Sequence, residues 1–83
     1  MSAASDVVET IGKALVDYPD GVEVSEFERD GTVQIVLTTK LGDLGKMIGR
    51  RGRTASAVRV IAGIAAEREG QQARVDFEDA DAG

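Results

Sequence analysis

Apolar positions first recur at helical spacing. Val7, Val8, Ile11, Ala14 and Leu15 form one stripe, and Asp6 and Glu9, three residues apart, suit the positive end of a helix dipole. The pattern predicts a helix over Val7 to Asp17. It ends before Tyr18-Pro19-Asp20-Gly21, because proline holds its predecessor extended and Asp-Gly suits a turn. Val22 and Val24 then alternate with Glu23 and Ser25 as in a half-buried strand, while Phe27 falls out of phase and marks a bulge or an aromatic on the other face. Arg29-Asp30-Gly31 is a hairpin turn, after which Val33, Ile35 and Leu37 alternate with Thr32, Gln34 and Thr38 in a second strand. Val36 departs from the polar side, as a stray surface residue or the floor of a groove.

From Asp43 the period is helical again. Leu44, Met47 and Ile48 predict a short helix stopping at Gly49, and Ala55, Val58, Ile61, Ala62 and Ala65 predict a longer one that starts after Gly52 and ends at Gly70. Gly63 inside that helix costs about 1 kcal/mol against alanine, which implies close packing against a neighbour. Ala73 to Phe77 reads as a third strand, with Val75 and Phe77 on one face. Glu78 to Gly83 reads as a frayed acidic tail. The order helix-strand-strand-helix-helix-strand describes an α+β fold, a three-stranded sheet with three helices on one face. It forms a single domain over residues 1–83, with an ordered core of about 5–78 and a tail at 79–83.

Composition changes this picture in two ways. The 83 residues include neither cysteine nor histidine, which removes disulfides, thiol nucleophiles, most zinc sites and the usual imidazole base. No apolar run approaches the roughly 18 residues of a membrane span, and the N-terminus carries no signal pattern, so a cytoplasmic protein with no membrane partner is expected. The net charge of −5 hides a strong asymmetry. Lys40, Lys46, Arg50, Arg51, Arg53 and Arg59 face only Asp43 between positions 40 and 59, a local balance of +5 that leaves −10 for the rest of the chain. A polyanion is repelled by most of this surface and drawn to one place on it.

That place is Gly45-Lys46-Met47-Ile48-Gly49-Arg50-Arg51-Gly52-Arg53. Glycines at both ends of a four-residue loop permit positive φ and close backbone approach. The amides that open the next helix, at Arg53, Thr54 and Ala55, lack partners within it and lie at its positive end, where a phosphate fits. Arg50 and Arg51 can fork onto phosphate oxygens, Lys46 and Arg53 widen the field, and Arg59 ranks below them as a phosphate contact or a solvated residue. Ile48, beside the loop, is the one apolar candidate for touching a base.

The Ile-Gly-Arg-Arg-Gly core with Gly-Lys-Met before it and a helix after it resembles the GXXG loop of KH domains, which clamps about four nucleotides of backbone. The element order resembles the type II KH arrangement. The chain length and Lys-Ala-Leu-Val-Asp-Tyr-Pro at positions 13 to 19 are similar to the KhpA family of small bacterial RNA-binding proteins. The resemblance implies single-stranded RNA as ligand, held by Gly49, Arg50, Arg51, Gly52, Lys46, Arg53, Thr54 and Ile48. It also implies an RNA chaperone or post-transcriptional regulator, partnered with a KhpB-like protein and linked to cell length and cell-wall homeostasis. A single four-nucleotide footprint binds weakly, so a homodimer or a second KH-containing partner is expected to supply avidity.

The alternative is a protein-interaction module that keeps the KH fold without binding RNA directly; the loop charges argue against it as sole function. An enzyme is not expected: Ser2, Ser5, Ser25 and Ser56 have no evident activating partner, and the loop lacks the Gly-Lys-Ser/Thr ending of a nucleotide-binding P-loop. No cofactor or metal is expected.

Overall fold

A computed structural model describes residues 1–80. The first helix, α1 (Ala3–Leu15), starts four residues before the apolar stripe suggests. Ser2 caps it, its Oγ accepting from the Ser5 N–H at 3.1 Å, and Ala4 and Ser5 lie fully buried. The helix also ends earlier than expected, at Leu15, so Val16 turns inward while Leu15 stays 42% exposed. Pro19–Gly21 then forms a single 3-10 turn.

Strands β1 (Glu23–Arg29) and β2 (Thr32–Thr39) pair antiparallel, from Glu23 opposite Thr38 to Arg29 opposite Thr32. The register is unbroken. Phe27 is therefore no bulge but an aromatic on the outer face. Asp30 and Gly31, at φ 54° and 80°, make a two-residue turn whose twist matches that of the strands. β2 lies in the middle of the sheet and buries Val33, Ile35, Leu37 and Thr39 on one face. Val36 points to the opposite, open face.

After β2 the chain forms α2 (Leu44–Ile48), a tight turn at Arg50–Gly52, and α3 (Arg53–Glu67), then returns as β3 (Gln72–Asp79) parallel to β2. The third strand outlasts its apolar alternation by two residues, because Glu78 and Asp79 pair with Thr38 and Thr39, and the Ala80 N–H donates to Thr39 O at 2.8 Å. Of the expected tail, Asp81, Ala82 and Gly83 lie outside the described residues. Gly70 at φ 72° closes α3, with the Gln71 N–H bonded to Ala66 O.

The three helices cover one sheet face. Ala4 and Val8 of α1, Met47 of α2, and Val58, Ala62 and Ala66 of α3 pack over Val33, Ile35, Leu37 and Val75. Alanines on α3 let it lie close to the sheet, and Gly12 does the same for α1: a Cβ there would come within 2.6 Å of Leu37 Cδ1. Gly63 has no such reason, since nothing lies within 4 Å of where its Cβ would be. Ile61, expected on the buried face of α3, is 45% exposed, because Ala55, Val58, Ala62 and Ala66, with Ala65 partly buried beside them, form the inner face of the helix. No helix among the described residues is long and apolar enough to cross a membrane.

Candidate nucleic-acid interface

The turn between α2 and α3 needs its glycines. Gly49, at φ 72° and ψ 177°, occupies backbone space open essentially to glycine, and a Cβ there would collide with Thr54 Oγ1 and lie 2.8 Å from Thr54 Cβ. Its carbonyl accepts from the Gly52 N–H at 3.2 Å, which draws the loop into a tight bow. Gly52 is left-handed at φ 72° and ψ 15°. Arg51 is left-handed too, at φ 56° and ψ 25°, a conformation that costs an L-residue about 1–2 kcal/mol. The fold holds an arginine where glycine would rest more easily.

That strain has a geometric result. Arg50, Arg51 and Arg53 are exposed around the bow, and none has an ion-pair or hydrogen-bonded partner among the described residues. The N-cap of α3 is Gly52, which has no side chain to offer the helix amides, although the Arg53 N–H, expected to be open, already donates to Arg50 O. Three unpaired guanidinium groups thus stand beside the positive end of a 15-residue helix, a surface that attracts anions.

The other expected residues divide. Thr54 sits at the first turn of α3, with its hydroxyl packed over Gly49. Ile48, half-buried, closes α2 directly beside the loop, whereas Met47 is fully buried in the core. Lys46 leans away from the loop to pair with Asp17 at 3.4 Å, an exposed contact worth little that a stronger anion can displace. Asp43, the one acid of the basic segment, is 2% exposed and turned inward, its carboxylate accepting from the Tyr18 N–H at 3.0 Å and the Asp17 N–H at 3.3 Å. The basic surface therefore stays unopposed.

Two features escaped the pattern of residues. Arg59, although exposed, turns away from the loop: its Nε donates to Val75 O at 3.0 Å and its guanidinium stands 5.2 Å from the centre of the Phe77 ring. It covers the outer edge of β3, which β2 does not reach. The second is a strip on α3, where Val60 (62% exposed), Ile61 and Ile64 (51% exposed) face outward. An apolar residue on a helix reads as core from spacing alone, and only the packing direction of α3 reveals this strip as surface.

The family model described as KhpA/KhpB, KH domain, matches residues 5–77. A protein of Halalkalibacterium halodurans named RNA-binding protein KhpA is 42% identical over 73 residues, 88% of this chain and 96% of its own length. Proteins of the same name from Aquifex aeolicus, 49% identical over 61 residues (74% and 77% of the two chains), and Chlamydia trachomatis, 41% identical over 59 residues (71% and 76%), are similar to it too.

Proposed function

The chain belongs to the KhpA/KhpB family of KH domains, and from that membership and the loop geometry we infer that it binds single-stranded RNA at the turn Gly49–Gly52. The family is not enzymatic, and the chain holds no histidine or cysteine. The observation that carries the reading is the left-handed Arg51: strain of this kind is kept where it aims a side chain at a ligand. Arg50 and Arg51 take the phosphates that pass the bow, the Arg53 guanidinium and the Thr54 amide take the next, Lys46 exchanges Asp17 for a phosphate, and Ile48 meets the first base. The acidic balance of the rest of the chain keeps the backbone off the remaining surface.

With about three phosphates neutralised, log affinity falls with log salt at a slope of about −2. So small a footprint supports a second KH domain in the working assembly, a second copy or a KhpB-like protein. The exposed strip of Val60, Ile61 and Ile64 on α3 is the apolar surface to receive it, since that helix begins at the loop and would bring two loops into one assembly. Acting so in the cytoplasm, the protein would serve as an RNA chaperone or post-transcriptional regulator, with the effects on cell length and cell-wall homeostasis that the family resemblance implies.

The test is binding of fluorescent single-stranded RNA by the wild type and by an Arg50→Asp, Arg51→Asp variant at two salt concentrations, with circular dichroism to confirm folding. Salt-dependent binding lost in the folded variant supports the reading. Equal binding by both proteins overturns it and leaves the α3 strip, and protein partners, as the function.

A further inference from the structure

At the other end of α2 the fold fixes an exposed aromatic ring among lysines. Tyr18 is 55% exposed and lies outside the hydrophobic core, yet its backbone is held firmly. The buried Asp43 carboxylate accepts from the N–H groups of both Asp17 and Tyr18, and Asp43 is the N-cap residue of α2. The turn that carries the ring is thereby tied to the helix that carries the loop. Lys40 Nζ stands 5.0 Å from the ring centre, and Lys46 reaches back from α2 to Asp17. Tyr18, Pro19, Gly21 and Lys40, with Asp17 and Asp20, line an open cleft.

We propose that this cleft is a second subsite for single-stranded RNA, in which one base stacks on Tyr18; the proposal rests on the loop reading above. Aromatic rings stack any base, and a neighbouring ammonium strengthens the attraction to the strand. Asp17 and Asp20 disfavour a phosphate inside the cleft, so a base enters and Lys40 meets the phosphate outside it. Asp20 on the rim accepts a hydrogen bond from an exocyclic amino group, which favours adenine, cytosine or guanine over uracil. The five residues of α2 span about 8 Å. A tetranucleotide fills the loop site, and a longer strand passes Lys46 and reaches Tyr18.

The chain contains one tyrosine and no tryptophan, so tyrosine emission reports on position 18 alone. The full-length protein is titrated with octa-adenylate while emission is followed, with N-acetyltyrosinamide in parallel to correct for absorption by the RNA. Fluorescence anisotropy of end-labelled oligonucleotide gives total binding. The expected result is quenching with the same midpoint as the anisotropy change. Tyr18→Leu, checked for folding by circular dichroism, should weaken octa-adenylate by roughly 5- to 150-fold and leave tetra-adenylate unchanged, and octa-uridylate should bind less tightly than octa-adenylate. Octamer binding without quenching overturns the subsite and leaves the loop reading standing, as does an equal loss on tetramer and octamer. No anisotropy change for any oligonucleotide overturns the loop reading, and the subsite with it.

Discussion

Replacing Arg51 by glycine should stabilise the fold and weaken RNA binding together. Arg51 sits at φ 56° and ψ 25° with no ion-pair or hydrogen-bonded partner among the described residues. Left-handed geometry costs an L-residue about 1–2 kcal/mol, which glycine recovers. Against this, the freer unfolded chain of glycine takes back about 0.5–1 kcal/mol. The net gain is about 0.5–1 kcal/mol. For a domain of this size that raises the melting temperature by roughly 2–8 °C. Binding moves the other way, because one phosphate contact disappears and the salt slope falls from about −2 to about −1.4. Arg50→Gly is the control: Arg50 is not left-handed, so the same change there recovers no strain and should lower the melting temperature while also weakening binding. Differential scanning calorimetry gives the stabilities, and fluorescence anisotropy against salt gives the slopes. A melting temperature that falls in Arg51→Gly, or rises equally in both variants, would refute the assignment of strain to Arg51.

Further predictions concern the frame that holds the loop. Gly63→Ala should stabilise the protein by about 1 kcal/mol in urea unfolding, because the position is interior to α3 and nothing lies within 4 Å of an added Cβ; a loss of stability would mean that α3 packs more closely there than described. Asp43→Ala should cost about 2 kcal/mol or more, since it strips the partner from the Asp17 and Tyr18 N–H groups and unties that turn from α2; hydrogen exchange at Tyr18 should quicken more than exchange in β2. Burial raises the pKa of Glu26, but hydrogen bonds from the Ser2 side chain and backbone and from Ser5 outweigh it and leave the carboxyl below its usual 4.5. A carboxylate lowered on folding contributes stability above its unfolded pKa, and that contribution is lost as pH falls through the folded value. Glu26→Gln should therefore lose less melting temperature than the wild type on going from about pH 5 to about pH 3, and equal losses would mean that the Ser2 contact does not persist in solution.

Much of this protein is determined locally, and that part can be read along the chain. Alternation of Val33, Ile35 and Leu37 defines the central strand because strand side chains alternate faces whatever their neighbours do. Asp30-Gly31 defines the hairpin, and Gly49 and Gly52 frame the loop, because few residues adopt positive φ at low cost. The charge asymmetry that marks the loop is likewise a property of order in the chain. Other features follow from directions of packing, which spacing leaves open. Periodicity shows that α3 has an apolar face but not that Ala55, Val58, Ala62 and Ala66, with Ala65 beside them, form its inner side, an arrangement that leaves Val60, Ile61 and Ile64 outside. Arg59 reads as one more cation until the return of β3 places the Val75 carbonyl and the Phe77 ring within its reach. Asp43 reads as a dilution of the basic segment until the fold brings it against the backbone of residues 17 and 18 and removes its charge from the surface. Such contacts join residues 16 to 26 positions apart, so only the tertiary structure, which sets their distance, could decide them.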